Sequence, residues 1–288
     1  MRSAAFVALT VLAGCGPHRG DDDDDVQPTD ARPSDGPSDA APGDGTEELP
    51  SRVYAHSGQT LYVVDTTTLA QTRIGDFTNL GATSMTDIAV DRDERMIGIS
   101  FTKIYQIDVH TAASTELAAF GAVRGFSSLS FVPMNPANPD GPEMLIAAND
   151  MGAVYRIEIN GMTATAVAIG SYGMMGATTI GSSGDIVSVR GFGTVATVNV
   201  GTGRDYLARL DPASNWRATI VGTGTGFDNI FGLGFWEGTL YGFVDDGFDA
   251  NTGKVIRIDT TTGAGTMIAT GSIRWFGAGV TTSAPIIP

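Results

Sequence analysis

The chain has one cysteine, Cys15, in 288 residues, and three histidines, His18, His56 and His110. An internal disulfide is excluded, and a cysteine–histidine zinc site has no ligand set. Basic residues are scarce: 17 Lys and Arg face 32 Asp and Glu, for a net charge of −15. With no basic stripe, nucleic acid is not an expected partner. The apolar stretch Ala4–Ala13 is interrupted only by Thr10 and is too short to cross a bilayer as a helix. No segment repeats apolar residues at helical spacing over three turns. Hydrolase and nucleotide signatures are also missing. Gly181-Ser182-Ser183-Gly184 is one residue short of a nucleophile elbow, and the glycines at 222, 224 and 226 have no strand–helix context.

Strand signals and turn residues fill the chain instead. The stretch from Ile230 to Gly271 divides into four short strands: Phe231–Trp236, Thr239–Val244, Lys254–Asp259 and Gly265–Thr270. Each is apolar, aromatic or β-branched, and each break holds Gly, Asp, Asn or Thr. Four antiparallel strands in about 40 residues is the size of one β-propeller blade. The third strand of each copy ends on an acid and a turn, at Asp65, Asp108, Glu158, Asp211 and Asp259, with intervals of 43, 50, 53 and 48 residues. Asp followed by Thr reads as a turn former, because its carboxylate accepts backbone N–H groups two residues on.

Candidate inner strands precede four of these copies, at Thr86–Asp91, Ser128–Val132, Ala177–Gly181 and Phe231–Trp236. The first copy lacks one and opens on Arg52-Val53-Tyr54-Ala55. A spare strand, Phe276–Thr282, ends the chain. The expectation is an all-β propeller of five four-stranded blades. Its C-terminal strand joins the N-terminal blade, since closure removes exposed edges. The expected core includes Tyr62, Ile88, Ile97, Leu145, Tyr155, Leu233, Phe235, Tyr241 and Ile258, with Trp236 between blades.

Three segments follow from composition. In residues 1–15, Arg2 and the apolar stretch form an export signal. Leu12-Ala13-Gly14-Cys15 resembles the lipobox of bacterial lipoprotein signal peptides. That resemblance implies lipidation of Cys15 and attachment to a membrane. Gly16 is not the aspartate that retains many such lipoproteins at the inner membrane, so the implied address is the cell envelope, at the outer membrane or cell surface. Residues 16–50 hold nine Asp and two Glu against two Arg, with six prolines, and read as an extended acidic tether. Residues 51–288 are the propeller domain.

Candidate binding positions come from the loops. Turns joining second to third strands, and links between blades, share one face of a propeller. That face is expected to collect His56, Asn149, Asp150, Arg190, Asp228 and Asn229, with Asp245, Asp246, Asp249 and Asn251 as oxygen ligands for calcium. Two loops exceed turn length, Pro133–Glu143 and Arg190–Arg204, and the second has room for an extra strand pair around Thr194–Val200. The phrases GLGFWEGTLYGF and KVIRIDTTTG resemble segments of bacterial repeat-type propellers in uncharacterised surface lipoproteins. This resemblance speaks to architecture, because propellers host many activities.

Two readings of function remain. The preferred one is a lipid-anchored binding or scaffolding module for protein or glycan partners. The alternative is an exported propeller enzyme, a hydrolase or calcium-dependent lactonase, which needs carboxylates converging at the channel mouth.

Overall fold

A computed structural model describes residues 52–287, which belong to one unit. The expectations for residues 1–50, including lipidation at Cys15, lie outside the described residues. Strands dominate. The first three are β1 (Val53–His56), β2 (Thr60–Val64) and β3 (Gln71–Asp76). Next come β4 (Asp87–Val90), β5 (Met96–Ile99), β6 (Lys103–Ile107) and β7 (Ser114–Phe120). Then follow β8 (Ser128–Pro133), β9 (Glu143–Ala148), β10 (Ala153–Asn160) and β11 (Thr163–Ser171). A two-residue β12 (Met174–Met175) precedes β13 (Thr178–Val189), β14 (Gly193–Val200), β15 (Tyr206–Asp211) and β16 (Arg217–Val221). The chain closes with β17 (Ile230–Trp236), β18 (Thr239–Asp245), β19 (Gly253–Ile258), β20 (Gly265–Gly271) and β21 (Gly277–Gly279). The single helical turn among the described residues is Pro212–Ser214.

Successive strands pair antiparallel into meanders: β4 to β7, β8 to β11, β13 to β16 and β17 to β20. The first meander borrows from the other end of the chain. Its order is β21-β1-β2-β3, with His56 opposite Gly277 and Tyr54 opposite Gly279. The outer strands β7 and β11 pair in parallel at Thr163–Ala119 and Ala164–Phe120, joining two meanders into one eight-stranded sheet. Each meander begins with an inner strand, and these strands pack in sequence: β4 beside β8, β8 beside β13, β13 beside β17, β17 beside β21, and β21 beside β4.

The repeated acid-and-threonine turns are built as their chemistry requires. Asp65 Oδ1 accepts from Thr67 N at 2.9 Å and Thr68 N at 2.7 Å. Asp108 does the same for His110 and Thr111, and Asp259 for Thr261 and Thr262. The fourth residue after each acid, Leu69, Ala112 and Gly263, turns left-handed and donates its N–H to the acid's carbonyl at 2.8 Å. Amide bonds to the carboxylates hold these three aspartates below the ordinary carboxylate range.

Apolar side chains fill the layers between meanders. Leu61, Met85 and Tyr105 lie between the first and second, and Ile104, Phe126 and Phe131 between the second and third. Ile146, Tyr172 and Trp216 separate the third from the fourth. Val195, Leu233, Phe243 and Trp275 fill the rest, with Trp275 edge-on to Phe243 and Tyr62. Of the expected core, Ile88, Ile97, Leu145, Leu233, Phe235, Tyr241 and Ile258 are buried, as is Trp236, whereas Tyr62 and Tyr155 are partly buried.

The fourth meander departs from expectation. Its inner strand is the 12-residue β13 rather than Ala177–Gly181, and the supposed loop pair Thr194–Val200 is the second strand, β14, paired with β13 from Val189–Gly193 to Ile180–Val200. The expected strand stops at Gly181, but β13 runs on through the polar stretch Ser182–Asp185, which is buried.

Candidate functional site

The antiparallel meanders sort every connection to one of two ends. Second-to-third turns and the links between meanders share one end, where the chain places His56, Asn149, Asp150, Asp228, Asn229, Asp245, Asp246, Asp249 and Asn251. Most of these groups have local employment. His56 is fully buried. Asn149 Oδ1 accepts from Met151 N at 3.2 Å and Ala153 N at 3.0 Å, capping the β9–β10 turn. Asp228 Oδ1 accepts from Asn229 N at 3.0 Å, and Asn229 is left-handed. Asp150 and Asp249 are exposed.

The expected calcium loop is occupied by cations of the chain itself. Asp245 is gripped by Arg274 through both oxygens. Asp246 bonds Lys254 and accepts from Thr252 Oγ1 at 2.8 Å. Partial burial alone would raise the Asp246 carboxyl, but the Lys254 and Thr252 bonds outweigh it and hold it below its ordinary range. Asn251 is a left-handed turn residue whose N–H donates to Gly247. Among the described residues, no group of three or more His, Cys, Asp or Glu is arranged to hold a metal ion.

Arg190 belongs to the other end. Because β14 is the second strand, Arg190 opens a first-to-second turn rather than a second-to-third one. It helps line a cavity of about 410 Å³ formed by the proline loop between β8 and β9, the β13–β14 turn, and Thr282 and Ser283 after β21. Pro133, Pro136, Pro139, Phe192, Leu210 and Pro212 supply its apolar wall.

The polar groups of this cavity come in neutralised pairs. Arg190 Nη1 lies 2.6 Å from Asp140 Oδ1, and the Arg190 amide donates to the Thr282 carbonyl at 2.8 Å. Arg92 donates to the carbonyls of Asp140 and Gly141, and its guanidinium stands 3.5 Å from Glu143 Oε1. Thr282 Oγ1 donates to the same Glu143 oxygen. Ser188 and Thr194 share a hydroxyl–hydroxyl bond of 2.9 Å at the wall. Phe192 stacks on Phe235 at 4.2 Å and carries the Arg209 guanidinium at 5.6 Å, which fixes its ring. The long loop was visible in the sequence. The cavity was not, because Arg92, Leu210 and Thr282 reach it from distant parts of the chain.

A second polar constellation lies at the centre, where Asp87 and Asp185 are buried with Ser128, Ser182 and Tyr172. Sequence reading missed both acids. The one signal was a shared phrase, Asp-Ile, leading an apolar run at Asp87 and again at Asp185.

No protein-family model matches the chain, and no curated protein matches its sequence. Solved structures do resemble it. A protein of unknown function from Bacteroides caccae is 11% identical, aligned over 77% of this chain and 73% of its own, with a TM-score of 0.41. The β-propeller domain of Cps50 (Swd1) from Myceliophthora thermophila is 12% identical over 75% of this chain and 66% of its own, with a TM-score of 0.39. The Dos1 propeller is 12% identical over 75% of this chain and 54% of its own, with a TM-score of 0.38. The chain is all-β and its structural neighbours include propellers.

Proposed function

We propose that residues 51–288 form a five-bladed propeller closed by β21, and that it is a binding module whose ligand enters the cavity under the proline loop. The circuit of inner strands, in which β21 touches both β17 and β4, supports the blade count and the closure. The observation that carries the binding reading is the cavity itself. It is preformed, apolar on one wall, and edged by planar polar groups whose charges already cancel. An uncharged ligand with a flat C–H face and a hydroxyl edge fits this chemistry, and a neutral glycan has both. The buried Asp87 and Asp185 are closed to substrate and do not favour a hydrolase. Export, a lipid anchor on Cys15 and the acidic tether of residues 16–50 complete the reading, with the domain held at the outer membrane or cell surface.

Calorimetry of the full-length chain against neutral oligosaccharides tests the site. Arg190→Ala is expected to weaken binding about tenfold, the worth of one good polar contact, and Asp140→Ala, which frees Arg190 from its ion pair, to weaken it less. Binding by proline-containing peptides instead, with the same sensitivity, would make the ligand a protein segment. Binding that ignores both substitutions would remove the cavity from the function. Labelled fatty acid in a lipid-modifying bacterial host should mark the wild type and not Cys15→Ser.

A further inference from the structure

Three buried acceptor groups lie on or beside the inner strands. Asp87 on β4 and Asp185 on β13 are 0% and 1% exposed. Asp87 accepts from Ile88 N at 2.9 Å and, across to β8, from Leu129 N at 2.6 Å. Asp185 accepts from Ile186 N at 2.6 Å and, across to β17, from Leu233 N at 2.5 Å. The two carboxyl groups are within hydrogen-bonding reach of each other.

The third acceptor is His56. Its Nδ1 lies 2.8 Å from the Ser57 carbonyl oxygen, which can only accept, so Nδ1 carries the hydrogen and Nε2 keeps a lone pair. Nε2 is buried and has no hydrogen-bond partner. A methyl group on Gly277 would stand 2.3 Å from that nitrogen and 2.7 Å from Asp87 Oδ1, so the lone pair and the carboxylate oxygen flank the same point. Oxygen and nitrogen lone pairs gathered in a dry space repel one another unless a proton lies among them. Two adjacent carboxylates without solvent cannot both stay ionised.

We propose that Asp87 and Asp185 form a proton-binding site, in which Asp87 carries one proton at neutral pH and donates it in a hydrogen bond to Asp185, tying β4 and β8 to β13 and β17. Asp185 is the ionised partner because its two amide bonds, 2.6 and 2.5 Å, are shorter than the 2.9 and 2.6 Å of Asp87, and amide donors favour the charged form. Burial, followed by the charge of Asp185, pushes the Asp87 carboxyl well above the ordinary range. The other titratable groups facing the pair carry no charge. Burial lowers His56 to about 4, and burial raises the Tyr172 hydroxyl, which approaches from the segment between β11 and β12. Strands β8, β17 and β21 present Ser128, Gly232 and Gly277.

The sign follows from linkage. The folded state holds a proton that the unfolded chain releases above the ordinary carboxylate range. The stabilisation is therefore complete at low pH and is lost as pH rises through the raised value.

Infrared difference spectra and melting of the full-length chain test this. Wild type at pH 7.5 should show the carbonyl stretch of a protonated carboxylic acid, and Asp87→Asn should lose it. The side-chain amide introduced by Asp87→Asn can donate to Asp185, but its NH2 no longer accepts from the Ile88 or Leu129 amide. The Tm of that variant at pH 7.5 should therefore fall by a few degrees, with a flatter alkaline limb. Asp185→Asn removes the charge and turns an NH2 toward the Ile186 or Leu233 amide, and should lower Tm by roughly 5–10 °C. No protonated-acid band in the wild type would overturn the proposal, whether or not Asp185→Asn folds. So would a band that survives in Asp87→Asn, or an alkaline limb as steep in that variant as in wild type.

Discussion

Arg274 holds both carboxylate oxygens of Asp245, with Nε 2.8 Å from Oδ1 and Nη2 2.6 Å from Oδ2. The Asp245 side chain is 5% exposed and that of Arg274 21%. The guanidinium also lies 5.5 Å from the ring centres of Phe248 and Phe276. This fork connects the end of β18 to the segment leading into β21, so it fastens the last strand to the rest of the domain.

Removing the arginine should therefore leave a buried carboxylate unpaired. Arg274→Ala is expected to cost about 3 kcal/mol and lower Tm by roughly 6–12 °C. Arg274→Lys should recover only part of this, because an ammonium cannot reproduce the two-pronged geometry. Thermal melts of the three proteins check it. Equal Tm values would mean that the fork contributes nothing to holding β21.

His56 sets the acid limb of stability. Burial lowers its pKa from 6.5 to about 4. The unfolded chain gains a proton below 6.5 that the folded ring refuses until about 4, so folding loses stability as pH falls through that window. The loss is at most about 3 kcal/mol. Asp205, raised to about 6 chiefly by burial, acts in the opposite direction, so the informative quantity is the difference between wild type and variant. His56→Asn keeps a donor for the Ser57 carbonyl and should flatten the limb between pH 4 and 6.5 in denaturant titrations. An unchanged limb would place the titration elsewhere.

Gly277 is required for space rather than for backbone freedom. Its φ is not left-handed, yet an added methyl would overlap His56 Nε2, Asp87 Oδ1 and, at 3.1 Å, the Asp87 Cα. Gly277→Ala should destabilise the domain by about 1–3 kcal/mol or more, as overpacking does. Gly121→Ala is the control, since nothing lies within 4 Å of its added carbon. Chemical denaturation of both variants checks the contrast, and equal midpoints would show that the centre can yield.

What could be read from the sequence was what local chemistry decides. The turn at Asp259 is written in four adjacent residues, because a carboxylate reaches only the next few amides. The strand signal failed where the environment inverts the usual code. Ser182, Ser183 and Asp185 are buried strand residues facing a polar centre, and polar strand residues flanked by glycine look like a loop. That one misreading displaced the rest of the meander, made β14 an apparent insertion and moved Arg190 to the wrong end. The cavity and the carboxyl pair were out of reach for a different reason. Each joins residues far apart in the chain, as with Asp87 to Leu129 and Asp185 to Leu233.

Closure by the C-terminal strand can be tested by removing it. Strand β21 pairs with β1 on one side, and the Phe276 amide donates to the His56 carbonyl at 2.8 Å. It also packs beside β17 and β4, and Thr281 bridges to Val90 and donates through its hydroxyl to the Asp91 carbonyl at 2.8 Å. A chain ending at Ser272 loses these contacts together with Trp275, which is 1% exposed, and the Arg274 fork. It would leave an edge of β1 unpaired and the flank of β4 bare, which invites edge-to-edge association. The truncated protein is expected to aggregate or to melt without a cooperative transition. Adding residues 273–288 as a separate peptide should restore part of the transition, since the missing strand supplies its own pairing partners. A truncated chain that remains monomeric and melts like the full-length protein would show that β21 is an accessory strand and that the domain stands without it.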